Sequence, residues 1–277
     1  MAKGGDQPMR NLAGQATKLS RTMHDIRYDA VNDEILVTNP FAQAIITFRG
    51  DADGNATPLR IIQGPKTQLG GVDRLDVDVV NNEILVPDGD RILVYPRAAN
   101  GDVAPLRIIE GDKTHLRNAA TLSVDPIHNL LAVGLNKAGR AITVKADGTM
   151  SAQSSDADGA LMVFNRLDKG NVAPRTLVRG PKSGIVRITQ MAVYAPRKFM
   201  VATQPGEITV MEPEEAFVGV WSLDDNGDVP PLYRIGVGPK TTMKKPRGVV
   251  LNPRNKEIII ADMRLNAVLT FSFPEIF

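Results

Sequence analysis

Apolar residues along this chain come in short runs bounded by Gly, Asn, Asp and Pro, and helical spacing is nowhere sustained. The runs are of two kinds. In the first, apolar and mostly polar residues alternate, as at Ile26 and Tyr28, Leu75 and Val77, Leu122 and Val124, Met191 and Val193, and Val249 and Leu251. Strand side chains point to opposite faces in turn, so this pattern predicts strands with one covered and one wetter face. In the second, the apolar run is unbroken: Ile35-Leu36-Val37, Ile84-Leu85-Val86 and Ile258-Ile259-Ile260. Such strands are expected to be covered on both faces by neighbouring sheets.

The two kinds recur in a fixed order. PLRIIQGPKTQL at Pro58 is echoed at Pro105, Pro174, Pro231 and Pro8, and each copy is followed by a stretch like YDAVNDEILVTN or VDVVNNEILVPD. One unit reads as four strands, for example RLDVDVV from Arg74, NEILVPD from Asn82, RILVYPR from Arg91 and APLRIIEG from Ala104. Between third and fourth strands, AANGDVAP, LDKGNVAP, DDNGDVPP and DADGNATP supply the Gly beside Asn or Asp that a tight hairpin needs for positive φ. The Pro that follows suits the start of an outermost strand, where a missing amide hydrogen is tolerated. Antiparallel four-stranded sheets packed face to face satisfy both kinds of strand, which predicts an all-β, five-bladed β-propeller in a single domain, 1–277. The blades span about 15–63, 64–110, 111–180, 181–238 and 239–277. The fifth unit ends after its third strand and the chain begins with a spare fourth one, so residues 7–14 are expected to close the last blade. Units three and four carry insertions at 136–159 and 205–216, both between second and third strands and so on one face.

The combination P-x-R-x-I-x-G-x-x-T-x-L, an aspartate ending the first strand, N-E-I-L-V and a late I-x-V-F/Y resembles the NHL-type propeller repeats over essentially the whole chain. Such repeats serve enzymes, binders and assembly scaffolds alike, so the resemblance implies a fold and no single activity. Three units keep an acidic pair, Asp29 with Glu34, Asp78 with Glu83 and, more loosely, Asn252 with Glu257. The fourth has Tyr194 and Phe199, which points to a structural pair.

Charge and composition narrow the classes. Lys and Arg number 33 against 31 Asp and Glu, so no global field favours nucleic acid. No apolar run is long enough to span a membrane, and MAKGGDQPMR does not read as a secretory signal. Zero cysteines exclude disulfides, thiolate metal sites and cysteine nucleophiles. A cytoplasmic protein and an exported one with its signal removed would look the same here.

Candidate chemistry gathers where loops enter first strands and leave second strands. Asn39, Asp88 and Asp262 end second strands at equivalent places, and oxygen ligands from several blades could hold calcium, which accepts many oxygens in flexible geometry. This resembles the channel metal of propeller lactonases. Asp and Asn at strand ends are equally ordinary turn residues. His24 and Asp25 are the acid/base candidates, although adjacent strand residues face opposite ways and the two are not expected to pair. A structural histidine fits as well. His115 and His128 fall at different places in their units, against a tris-histidine zinc site. Asp25, Asp73 and Asp76 could supply a glycosidase pair, but one Trp and 5% aromatics offer sugars few platforms. Lys66, Lys113, Lys182 and Lys240 recur at one turn position, as a cationic ring or a solvated turn. DADGN at Asp51 and DDNGD at Asp224 resemble parts of calcium loops without the bidentate Glu. No G-x-S-x-G nucleophile motif is present.

These residues point first to a non-enzymatic binding or assembly module. It would hold a protein or small-molecule ligand on the face with the two insertions, through Arg74, Gln190 and Arg247. A calcium-dependent lactone or ester hydrolase is the alternative.

Overall fold

The computed structural model of the chain describes residues 7–21, 23–136, 141–144, 150–153, 159–238 and 240–277. The chain is all-β, with blades in a propeller arrangement and no helix longer than a three-residue 3-10 turn among the described residues. The first blade is β1 (Ile26–Asp29), β2 (Glu34–Asn39), β3 (Ala44–Arg49) and β4 (Arg60–Ile62), and the second β5 (Asp76–Asp78), β6 (Glu83–Asp88), β7 (Arg91–Pro96) and β8 (Arg107–Glu110). In the third, β9 (Ala119–Asp125) and β10 (Leu130–Leu135) continue, past a separate hairpin of β11 (Ala141–Val144) and β12 (Met150–Gln153), into β13 (Ala160–Asn165) and β14 (Thr176–Val178). The fourth holds β15 (Gln190–Tyr194), β16 (Phe199–Gln204), β17 (Phe217–Ser222) and β18 (Tyr233–Gly236). The fifth has three described strands, β19 (Pro246–Asn252), β20 (Glu257–Asp262) and β21 (Ala267–Ser272).

The chain gathers into two compact units, one of residues 1–86 and 93–106, the other of 87–92 and 107–277. In the first, Val37, Ile46 and Phe48 of blade one pack with Leu12, Leu19 and Ile61. In the second, Leu130, Leu161 and Val163 of blade three meet Met191, Met200, Phe217 and Trp221 of blade four. Val201, Val218 and Val220 of blade four then meet Val249, Ile258 and Ile260 of blade five. Ile84-Leu85-Val86 is wholly buried, whereas Ile35 and Ile259 of the other two continuous runs stay partly exposed; Trp221 is wholly buried as packing. Blade one differs from the alternation its sequence predicts: Ile26 and Tyr28 are 63% and 61% exposed.

One motif explains much of the repeat. The 3-10 turns Pro65–Thr67 and Asp112–Thr114 follow Gly64 and Gly111, and the hydroxyl of Thr67 or Thr114 donates to that glycine's carbonyl at 2.6 Å. The amides of Lys66, Lys113 and Lys182 donate to Asp102, Asn171 and Asp228 in the next third-to-fourth hairpin, at 2.7, 2.7 and 2.8 Å. The recurring lysines therefore mark a clasp between blades, made by their backbone, while their side chains are exposed. Gly64 is required twice over, by φ +131 and because a Cβ there would lie 2.5 Å from Asp102 Cγ. Residues 7–19 repeat the clasp on blade one: Leu12 bridges Gly54, the Asn11 amide donates to Asp53, and the Ala16 amide to Asn55.

The acidic pairs are structural. Asp29, Asp78 and Asp125 each accept two amides of the following turn. Glu34 takes Arg60 and Arg97, each at 2.6 Å. Where blade four substitutes Tyr194, that ring packs edge-on against Phe277 at 5.0 Å.

Candidate functional site

The 205–216 insertion is a built loop. Gln204, wholly buried at the end of β16, accepts the Gly206 amide at 2.7 Å and donates to Gly184 and Glu215 carbonyls. Gly206 takes φ +72, with Pro213 packed so closely that a Cβ would lie 2.4 Å from it. Glu212 then ties the loop to blade five, accepting Arg264 Nε at 3.0 Å and pairing with Lys244 Nζ at 3.1 Å. These two cations hold the Glu212 carboxyl below the usual range.

Two buried cations support the loop from beneath. Arg187, 3% exposed before β15, donates through Nε to the Gly206 carbonyl at 2.6 Å. Lys245, 4% exposed before β19, donates through Nζ to the carbonyls of Glu207 and Val210. Arg187 Nη2 is buried with no hydrogen-bond partner among the described residues. Burial, then the neighbouring Arg247 charge, push the Arg187 guanidinium down to about 10, with Glu207 opposing. Burial also pushes Lys245 down, aided by Arg187 and Arg247 and opposed by Glu215. Arg187 still carries its charge at neutral pH, close to a second cation. Arg247 falls at a register shift of β19, where Pro246 pairs with Asp262 and Gly248 with Ala261. Such a bulge re-aims a side chain, and Arg247 lines a groove of about 430 Å³ with Met263, Asn266 and Val268. Above the cations, the loop tip presents Ile208 and Met211, 70% and 64% exposed.

The residues expected from sequence fall into different roles. Of the binding set, Arg247 lies in this cluster. Gln190 instead accepts the Val249 amide at 3.1 Å, joining blades four and five, and Arg74 donates to the His24 and Asp73 carbonyls. His24 Nδ1 lies 2.7 Å from Asp73 Oδ1, while Asp25 faces Arg27 and accepts the Leu75 amide. Burial outweighs Arg27 and Arg74 and raises the Asp25 carboxyl. The three residues expected to bind calcium each serve a turn. Asn39 accepts Ser20 and the Ala42 amide, and Asp88 pairs with Arg91 at 3.0 Å. Asp262 accepts four amides, from Lys244, Lys245, Arg264 and Leu265. No group of three or more His, Asp or Glu suited to a metal occurs among the described residues. His128 lies 2.8 Å from Asp125, within its own turn. Asp51 pairs with Arg49, and Asp225 and Asp228 accept turn amides.

No family model matches the chain, and no curated protein sequence matches it. Among solved structures, its fold is similar to hydrazine synthase of Kuenenia stuttgartiensis, at 10% identity and TM-score 0.58, over 93% of this chain and 58% of that one. It is also similar to Chaetomium thermophilum Sqt1 bound to the N-terminus of ribosomal protein L10, at 13% identity and TM-score 0.55, over 90% of this chain and 58% of that one. At such identities the likeness is one of fold. The chain spans 58% of the length of each.

Arg187 and Lys245 do not emerge from the periodicity, yet the sequence carries a signal for them. Aligning blades by the end of the second strand makes these two equivalent, with Thr22, Gly71 and Asn118 at the same place in the other units. Cations occur there only in blades four and five, beside the 205–216 insertion.

Proposed function

We propose that the chain is a non-enzymatic binding module of NHL-like construction, which holds a protein partner on the face bearing the 136–159 and 205–216 insertions. One observation carries this reading: a rigidly anchored loop that displays Ile208, Val210 and Met211 to solvent above buried Arg187 and Lys245. Apolar side chains held out on an ordered loop, rimmed by charged groups such as Glu212, Lys244 and Arg264, match the make-up of a protein-binding surface. The Sqt1 structure, in which a similar fold holds the N-terminus of another protein, supports a peptide segment as the kind of ligand. Much of the 136–159 insertion lies outside the described residues, so the 205–216 loop supports the reading alone.

Panning a random-peptide display library on the immobilised full chain tests it. Enriched peptides should bind wild type and lose about tenfold or more in affinity on Ile208→Ser with Met211→Ser, since burying each of these apolar side chains against a partner is worth about 1–2 kcal/mol. Failure to enrich any peptide, or equal binding by the double variant, contradicts the proposal.

A further inference from the structure

Neighbouring blades of the second unit meet through one recurring contact. Ala132 and Leu161 of blade three pack with Met191, Met200 and Ala202 of blade four. Val201, Val218 and Val220 of blade four pack in the same way with Val249, Ile258 and Ile260 of blade five, beside Leu269 and Phe271. Strand register makes Ile45, Leu161, Val218 and Val268 equivalent, since each lies opposite the fifth residue of its second strand. The first three are at most 1% exposed, whereas Val268 is 71% exposed. On the other face of each blade, Ile26, Leu122, Met191 and Val249 are equivalent, each opposite the fourth residue of its second strand. Leu122, Met191 and Val249 are at most 3% exposed, against 63% for Ile26. One face of blade five and one of blade one thus carry residues at core positions that stay open in the single chain.

The two open faces match. Ile259, Val268 and Thr270 hold the places of Val201, Val218 and Val220, and Ile26, Ile35 and Val37 those of Val249, Ile258 and Ile260. Leu12 and Leu19 already pack with Val37, Ile46 and Phe48 of blade one, which leaves Ile26 and Tyr28 as the exposed part. A fourth strand is also wanting. Ile62 and Val178 pair with Ile45 and Leu161 in their own blades and bridge Gly101 and Gly227 of the next hairpin. Leu12 bridges Gly54 in the same manner but pairs with no third strand among the described residues, and β21 has no fourth strand among them.

We infer that two copies of the chain associate head to tail, the open face of blade five in one receiving the open face of blade one in the other. Residues 8–14 of the second copy run along β21, with Leu12 opposite Val268 as Ile62 lies opposite Ile45. A second copy is the occupant because both faces are open in the single chain, and its blade-one face repeats the residues that blade five presents to blade four. Arg10, Asp33 and Asp51 line the groove beside Ile26 and Tyr28, and Arg247 and Asp262 that beside Val268, so an apolar centre has a charged border. Unlike faces meet, which makes the contact heterologous. It uses neither Ile208 nor Met211 and stands apart from the docking loop.

Sedimentation equilibrium of the full chain over a range of concentrations tests this. Wild type should reach the mass of two copies or more at tens of micromolar. Val268→Asp and Ile26→Asp each place a carboxylate in the apolar contact and should weaken association by about a hundredfold or more. Each leaves the other face intact, so an equimolar mixture of the two variants should form a mixed dimer that neither forms alone. Ile208→Ser with Met211→Ser should associate as wild type does. If either carboxylate variant does not fold, Tyr28→Asp and Val250→Asp, also at exposed positions, take their place. A wild type that stays monomeric at its highest soluble concentration overturns the inference, and if the two substitutions then lower its melting temperature, the faces close within one chain. Association that survives both substitutions, a mixture that does not recombine, or loss of association in the loop variant overturns it as well.

Discussion

Asp262 uses both carboxylate oxygens on four backbone amides of the turns around blade five, and that engagement determines what its loss would do. Asp262→Ala should destabilise the protein by about 2–4 kcal/mol in denaturant unfolding, because four turn amides, that of buried Lys245 among them, lose their acceptor. The loss should be the same with and without calcium; a calcium-dependent difference would contradict the structural role. Asp25 makes the opposite prediction. Its folded pKa is raised by burial, so its ionised form opposes folding, and the protein loses stability as pH rises from the ordinary carboxyl value of 3.8 through the raised one. Asp25→Asn should therefore stabilise at neutral pH, with the gain vanishing below that window; urea midpoints across pH check it, and a variant less stable at neutral pH contradicts it. At this scale sequence reading was weakest. Residue type and strand position mark Asp262 or Gln190 as candidates, but only side-chain partners distinguish a turn aspartate from a ligand. Arg187 and Lys245 escaped because their burial depends on the path of a neighbouring loop.

At the level of elements, strand order, hairpin turns and insertion sites were legible, since period-two alternation and Gly-Asn or Gly-Asp turns follow from backbone geometry. The G-x-K-T turn was half legible: its recurrence was plain, while the clasp it forms depends on an Asp or Asn 36, 58 or 46 residues away. That clasp predicts a non-additive pair. Gly64→Ala should cost about 2–4 kcal/mol, combining positive-φ strain with the Asp102 clash, and should cost less in an Asp102→Gly background, which also removes the Cβ 2.7 Å away and leaves only the strain. Equal costs in both backgrounds, measured by thermal or urea unfolding, would show that no clash operates.

Across the molecule, the number of blades was readable because each unit must bury the same two kinds of strand, and units were counted at Pro8, Pro58, Pro105, Pro174 and Pro231. Where function sits was only partly readable. Two insertions on one face pointed to it, and Arg247 was singled out, but a length difference does not tell an ordered loop from a slack one. The anchoring of residues 205–216 by Gln204, Glu212, Arg187 and Lys245 supplies that distinction. The central claim is that a partner docks on this loop, and hydrogen exchange on the full chain, with and without the tightest selected peptide, tests it most directly. The account predicts slowed exchange in residues 206–212 and 263–268, with the clasp turns at Lys66 and Lys113 unchanged. Protection elsewhere, with 206–212 exchanging as in the free protein, would contradict it.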